Sequence, residues 1–200
     1  IPKHVKTIGK NSFKNCQNLS IIKFADDIEL QSIGKGAFKN TKIIHLCIPK
    51  SVKELQDGWC KKLEKINDFS VSPENKIFSV FEGKMIVGKT NPENEEYDVI
   101  QYVLSKCDEI IIPSFIRKIN DYSFSYSYHI RTVIFSEDCK LEIIGKSAFS
   151  NSFIESIHIP KSVKIIEKNA FKECHALQKV VFDDDSQLEI IGESSFSNTP

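Results

Sequence analysis

Gly83-x-x-x-x-Gly88-Lys89-Thr90 matches, letter for letter, the pattern of a phosphate-binding loop. The chemistry behind that pattern is a glycine-rich backbone whose N–H groups curl around phosphates, a lysine on their oxygens and a threonine on magnesium. It also requires a helix that opens directly afterwards. Asn91-Pro92 follows instead, and a proline disfavours helical geometry in the residue before it. Met85-Ile86-Val87, between the two glycines, read as the returning strand of a hairpin. The match is a coincidence of letters, and no nucleotide cofactor is expected.

The remaining chemistry-bearing residues are dispersed. His4, His45, His129, His158 and His175 fall at wide intervals, and no His-Glu-x-x-His or Gly-x-Ser-x-Gly arrangement occurs. Cys16, Cys47, Cys60, Cys107, Cys139 and Cys174 are scattered singly without a Cys-x-x-Cys pair, so neither a zinc site nor a dense disulfide framework is expected. Cys16 and Cys174 each follow a phenylalanine by three residues, which suggests a small buried residue filling a recurrent slot. No catalytic residue and no metal ligand is assigned, and the chain is read as a non-enzyme.

Dispersed polar residues of this kind must be placed by a regular frame, and the frame is a repeat. An apolar residue is followed three later by Ile or Leu and five later still by Phe in Val5-Ile8-Phe13, Leu30-Ile33-Phe38, Ile116-Ile119-Phe124, Leu141-Ile144-Phe149, Val163-Ile166-Phe171 and Leu188-Ile191-Phe196. A seventh copy, Val52-Leu55-Cys60, has Trp59 beside the altered position, and Trp59 is expected to replace the lost ring. Longer and shorter units alternate: Ile1 to Ile48 spans 47 residues, as does Ile112 to Ile159. Half of that falls in the range for one strand-plus-turn coil of a leucine-rich solenoid.

Each unit carries a strand signal after its Phe. The longer units read Leu19-x-x-Ile22-x-Phe24, Ile130-x-x-Val133-x-Phe135 and Leu177-x-x-Val180-x-Phe182. The shorter ones read Ile43-x-x-Leu46-x-Ile48 and Ile154-x-x-Ile157-x-Ile159. One coil cannot bury its own apolar residues, so coils must stack with these strands parallel and about 4.8 Å apart. The expected fold is a leucine-rich-repeat solenoid. It is a right-handed curved coil with a parallel sheet on one face, mostly β, joined by short turns or 3-10/helical segments. Residues 1–200 are read as one such domain, an internal piece of a longer chain, since Ile1 opens in mid-unit.

IPKSVKIIEKNAFKECHALQKVVF (159–182), echoed by IPKHVKTIGKNSFKNCQNLSIIKF (1–24), resembles the BspA-like leucine-rich repeat family, whose pattern is approximately IPxxVxxIxxxAFxxCxxLxxVxF. The resemblance covers residues 1–69 and 112–200. It implies a cell-surface or secreted protein of a host-associated microbe, of adhesin type, binding host matrix or surface proteins without catalysis. Residues 70–111 depart from the repeat and are expected to form an insertion. Ile77–Phe81 and Lys84–Val87, separated by Glu82-Gly83, carry a hairpin signal. The family has a comparable interruption, roughly NxxYSxxxGxLxxK. Asn91–Asp98 is polar and expected to be an exposed loop.

Composition sets the class of partner. Lys plus Arg and Asp plus Glu number 27 each, so no net field draws the chain to nucleic acid, and no apolar run is long enough to span a bilayer. The candidate partner is a protein. The candidate contact residues are those that alternate with the core on each strand: Ile21 and Lys23, His45 and Cys47, Lys65 and Asn67, Thr132 and Ile134, Ser156 and His158, Lys179 and Val181. Ile21, Ile134 and Val181 are read as recurring at one slot of the longer units, an apolar stripe flanked by Lys and His. Acidic turns (Asp26-Asp27, Glu137-Asp138, Asp183-Asp184-Asp185) should alternate with Pro-Lys turns (Pro49-Lys50, Pro160-Lys161) along one edge. The alternative to a surface adhesin is an intracellular, cytoplasmic scaffold for protein–protein interaction, towards which unpaired cysteines lean. Ligand identity and oligomeric state stay open at this level.

Overall fold

The computed structural model describes residues 1–63 and 65–200. The chain forms two compact units, Ile1–Tyr97 and Asp98–Pro200. The first holds β1 (Thr7–Ile8), β2 (Ser32–Ile33), β3 (His45–Ile48), β4 (Glu54–Leu55), β5 (Asp68–Val71), β6 (Phe78–Phe81) and β7 (Met85–Gly88). The second holds β8 (Val99–Val103), β9 (Glu109–Ile112), β10 (Lys118–Ile119), β11 (Thr132–Phe135), β12 (Ile143–Ile144), β13 (Ser156–Ile159), β14 (Ile165–Ile166), β15 (Lys179–Phe182) and β16 (Ile190–Ile191). No helix is formed among the described residues, and none is therefore long and apolar enough to cross a membrane.

Each coil contributes two strands, not one. The four-residue strands pair in parallel as expected, β3 with β5 in the first unit and β9-β11-β13-β15 in the second. The two-residue strands come from the apolar-x-x-Ile segment and, joined in the second unit by the five-residue β8, build a second parallel sheet. Ile8, Ile33 and Leu55 align in the first unit, and Ile100, Ile119, Ile144, Ile166 and Ile191 in the second. Side chains such as Leu30, Ile33, Ile119, Ile144 and Ile166 are fully buried between the sheets.

The turn around each Phe explains why no helix forms. Residues two before and two after the Phe take positive φ: Asn11 and Asn15 around Phe13, Tyr122 and Tyr126 around Phe124, Ser147 and Asn151 around Phe149. A right-handed helix cannot pass through two left-handed residues four apart. The same flips turn alternate N–H groups towards the next coil. Tyr122 N–H donates to Lys146 O (3.1 Å), Phe124 N–H to Ala148 O (2.8 Å) and Tyr126 N–H to Ser150 O (3.2 Å). The backbone of the turn is thus satisfied between coils instead of within one.

The rings stack. Phe124 and Phe149 lie 4.5 Å apart, Phe149 and Phe171 5.0 Å, and Phe171 and Phe196 5.0 Å, with the last two pairs nearly coplanar. In the first unit Phe13 stacks on Phe38 at 5.6 Å, and Trp59 closes the row edge-on to Phe38 at 6.4 Å and 77°. Trp59 N-terminally neighbours the Phe slot, where Ala37, Ala148 and Ala170 stand in other coils, and both Trp59 and Cys60 are buried. The indole does replace the missing ring. At the sharpest junctions the coils approach closely: a Cβ on Gly145 would stand 2.7 Å from Ile119 O and 2.9 Å from Asp121 N.

Three expectations are corrected. The segment Leu19–Phe24 is not a strand. It is held by Lys42 N–H on Leu19 O and Ile44 N–H on Ser20 O (both 3.1 Å), after which Ile1 takes over, its amine on Lys23 O and its carbonyl accepting from Ala25 N–H. The strand of the third coil begins at Asp68, so Lys65 and Asn67 precede it. Cys60 to Phe69 is nine residues, the connection of the longer units (Phe124 to Val133), and the alternation of unit lengths hides this. The irregular stretch is also narrower than 70–111, because β8 and β9 pair in register with the coil strands β10 and β11.

Within the irregular stretch, β6 and β7 form the expected antiparallel hairpin, Phe81 opposite Met85 and Phe78 opposite Gly88. Glu82 (φ 50°) and Gly83 (φ 66°) both adopt positive φ, and Lys84 N–H closes the turn on Phe81 O at 3.0 Å. Gly83 to Gly88 is therefore hairpin, with Met85–Gly88 committed to a strand and Lys89 lying over the Tyr97 ring at 5.3 Å. Asn75, the residue that opens the interruption pattern, fastens the hairpin to the preceding coil. Its side-chain amide donates to Pro49 O (2.8 Å) and Val52 O (3.0 Å), and its carbonyl accepts from Ile77 and Phe78 N–H (2.9 Å each).

Candidate functional site

The four-stranded sheet of the second unit presents two rows of outward residues. In register, Glu109, Thr132, Ser156 and Lys179 form one, and Ile111, Ile134, His158 and Val181 the other. Their neighbours on the strands, Ile110, Val133 and Ile157, face inward and are buried. Ile111 is 50% exposed and Ile134 40%, side by side in register. Six of the candidate contact residues, Thr132, Ile134, Ser156, His158, Lys179 and Val181, are thus brought onto one face. Ile111 was missed because its coil lies in the stretch where the repeat is obscured.

The first unit holds the other six candidates, Ile21, Lys23, His45, Cys47, Lys65 and Asn67. Ile21 is exposed, as are Lys23 and His45. Ile21 precedes the core residue Ile22, the place that Thr132 and Lys179 take beside Val133 and Val180. It does not share the slot of Ile134 and Val181, so the apolar row belongs to the second unit, with Ile111 in place of Ile21. Lys65 lies before β5, and the outward residues there are Asp68 and Ser70, opposite His45 and Cys47.

Ion pairs link neighbouring coils along this face and its edge. His158 donates from Nε2 to Asp183 at 2.7 Å, His45 is bonded to Asp68, Lys161 meets Asp185 at 2.9 Å and Lys50 meets Glu74 at 3.2 Å. Pairs this exposed contribute little to stability. Lys161 is raised above the ordinary lysine range chiefly by its hydrogen bond to Asp185, and Asp185 is lowered by the same bond. The expected alternation of acidic and Pro-Lys turns is present: Lys161 stands among Asp138, Asp183 and Asp185. Together with Thr132, Ile134 and His158 they line a groove of about 690 Å³ at the ends of β11 and β13. Among the described residues no three His, Cys, Asp or Glu side chains are placed to hold a metal ion.

All six cysteines are unpaired. Cys174 is buried as expected, with its Sγ donating to Phe149 O at 3.0 Å, and burial pushes its thiol up. Cys60 is buried and raised further by the same cause. Cys16, at the same place in its coil, is exposed. Ser152 and Phe149 of the preceding coil cover Cys174, and Cys16 has no equivalent cover among the described residues. Only a thiolate with access to solvent reacts quickly. Ellman's reagent at about pH 8 should therefore label Cys16 early and Cys60 and Cys174 only in denaturant. Fast labelling of Cys174 in a Cys16→Ser variant would contradict its burial.

Stacked coils with a Phe row, an apolar-x-x-Ile sheet and a second parallel sheet define a leucine-rich-repeat solenoid. A model of the BspA-type leucine-rich repeat region matches residues 1–94 and 98–200, in 6 copies, and the chain belongs to that family. Solved structures agree on the fold. The pneumococcal vaccine antigen PcpA is 25% identical, with a TM-score of 0.83 over 96% of this chain and 46% of its own. A leucine-rich repeat protein from Eubacterium ventriosum is 23% identical, with a TM-score of 0.72 over 87% of this chain and 44% of its own. A leucine-rich cell surface protein from Faecalibacterium prausnitzii is 15% identical, with a TM-score of 0.64 over 95% of this chain and 60% of its own. The chain therefore spans about half the length of the first two. No curated protein matches it significantly.

Proposed function

We propose that this chain is a non-catalytic binding segment of a surface or secreted protein, and that it takes a protein partner on the outward face of its four-stranded sheet. The observation that carries the reading is the pair Ile111 and Ile134, large apolar side chains 50% and 40% exposed and adjacent in register, with His158 and Val181 completing the row. A sheet face that met only water would gain from polar residues at such positions, and an apolar centre with a Lys, Glu and His rim is how binding surfaces are composed. Family membership supports a repeat scaffold whose outward positions are free of packing duty. One structural neighbour is described as a cell surface protein and another as a vaccine antigen, which supports placement at the cell surface.

The test is binding of the chain to immobilised extracellular-matrix proteins, with Ile134→Glu and Val181→Glu as variants. Both positions are outward, so folding should be retained, and each charge placed in the apolar centre should weaken binding by about tenfold or more. Unchanged affinity in both folded variants would move the site off this face.

A further inference from the structure

The groove at the ends of β11 and β13 has a counterpart in the first unit. Ile22, Phe24, Asp26, Lys50 and Glu74 line a smaller groove of about 300 Å³. The two are built alike from places 111 residues apart in sequence: Asp26 or Asp27 answers to Glu137 or Asp138, Lys50 to Lys161, and Glu74 to Asp185. In both, the single lysine on the wall is already bonded to the carboxylate of the following coil, Lys50 to Glu74 at 3.2 Å and Lys161 to Asp185 at 2.9 Å. In both, a carboxylate on the acidic turn, Asp26 or Asp138, is exposed and takes no hydrogen bond or ion pair among the described residues. In both, the inner wall is apolar, with Phe24 in one and Phe135 in the other.

We infer that these grooves accept a basic, extended segment of a protein partner, each taking a Lys or Arg head at the uncommitted carboxylate and an adjacent apolar side chain against the wall. With the wall lysines neutralised by their own partners, the charge left over is negative, Asp138 and Asp183 in one groove and Asp26 in the other, with His158 resting on Asp183. Charge complementarity thus selects a cation. Among the described residues no three carboxylates are placed to chelate a metal, and a flexible organic cation with an apolar stem matches the mixed lining. Ile134 and His158 of the sheet row also line the larger groove, whereas Ile111 and Val181 line neither, so substitutions at Ile111 and Val181 separate this inference from the sheet-face reading.

The probe is a labelled, unstructured peptide alternating Arg with Ile, compared with a peptide alternating Glu with Ile, in fluorescence anisotropy with the full 200-residue chain. The basic peptide should bind about tenfold or more tightly than the acidic one, and weaken steeply as salt rises from about 0.05 to about 0.5 M. An Asp26→Asn, Asp138→Asn variant should lose that advantage, while Val181→Gln, which alters the sheet face without adding charge, should bind the basic peptide within about twofold of the unmodified chain. Equal binding of the two peptides, an unaltered Asp26→Asn, Asp138→Asn variant, or loss in Val181→Gln alone would each overturn the inference. So would displacement of the peptide by calcium at equal ionic strength, which would make the grooves metal sites. Failure of the sheet-face reading would instead show as matrix binding unaffected by Ile111→Glu and Val181→Glu, two positions that line neither groove.

Discussion

Replacing Phe149 with alanine should destabilise the second unit by about 3–5 kcal/mol, the range for removing a fully buried aromatic ring. Phe149 is completely buried and has a ring on each side, Phe124 at 4.5 Å and Phe171 at 5.0 Å. Its removal opens a void in the middle of a stack whose neighbours cannot close up, because the backbone of each turn is pinned to the next coil by Tyr122, Phe124 and Tyr126 N–H bonds. The lost contacts therefore add a cavity cost to the transfer cost. Such a loss is a large share of the roughly 5–15 kcal/mol that holds an ordinary domain together. Urea unfolding followed by far-ultraviolet circular dichroism measures it. Phe196→Ala is the internal comparison: that ring is only half-buried and stacks on Phe171 alone, so its removal should cost clearly less. Equal losses at the two positions would mean that stacking within the row does not set the stability of the unit.

The phenylalanine row was legible in the sequence for the same reason that its loss is costly. A coil that must stack on its neighbour has to place the same side chain at the same depth each time, and only a strict period achieves that. The hairpin was legible because Glu82-Gly83 sits between two alternating segments and both residues can adopt positive φ. Trp59 was legible because a ring missing from a periodic slot demands a replacement nearby. Other features left no such trace. Apart from β8, the second sheet is built from coil strands of two residues, too short to show alternation. The left-handed positions that exclude helix are filled by Asn, Tyr, Ser, Lys, Glu and Gly in different coils, so no single residue type marks them.

The candidate face was only half legible, and the boundary is physical. Which residues face outward follows from a period of two once the strand is placed, and this gave Thr132, Ile134, Ser156, His158, Lys179 and Val181 their common face. A one-residue error in registering a strand reverses its faces, and alternating coil lengths make such errors easy. Ile21 was assigned to the wrong row and Lys65 to a strand that begins three residues later. The grooves were beyond reach altogether. Their walls join residues from successive coils, as in Lys50 with Glu74 and Lys161 with Asp185, each pair 24 positions apart, and that pairing exists only after the stack has formed.

Asn75→Ala should lower the stability of the first unit by about 2–5 kcal/mol, from four hydrogen bonds lost with their backbone partners left inside the fold. Asn75 is 5% exposed, and one side chain serves both directions: its amide group donates to Pro49 O and Val52 O of the preceding coil, and its carbonyl receives Ile77 and Phe78 N–H at the start of the hairpin. Alanine can do neither, and water has little room to enter. Asn75→Asp separates the two halves of the role. An aspartate keeps the acceptor for Ile77 and Phe78 but sets a carboxylate against the oxygens of Pro49 and Val52, so it should also be destabilised near neutral pH. Burial and those carbonyls would raise its folded pKa above the unfolded value of about 3.9. Protonation then favours the folded state, and the Asp variant should regain part of its stability as pH falls through that raised pKa, relative to Asn75→Ala at the same pH. Trp59, the single tryptophan of the chain and buried in this unit, reports the transition by fluorescence. An unchanged urea midpoint for Asn75→Ala would mean that the hairpin is held by its apolar contacts alone and that the asparagine is a bystander.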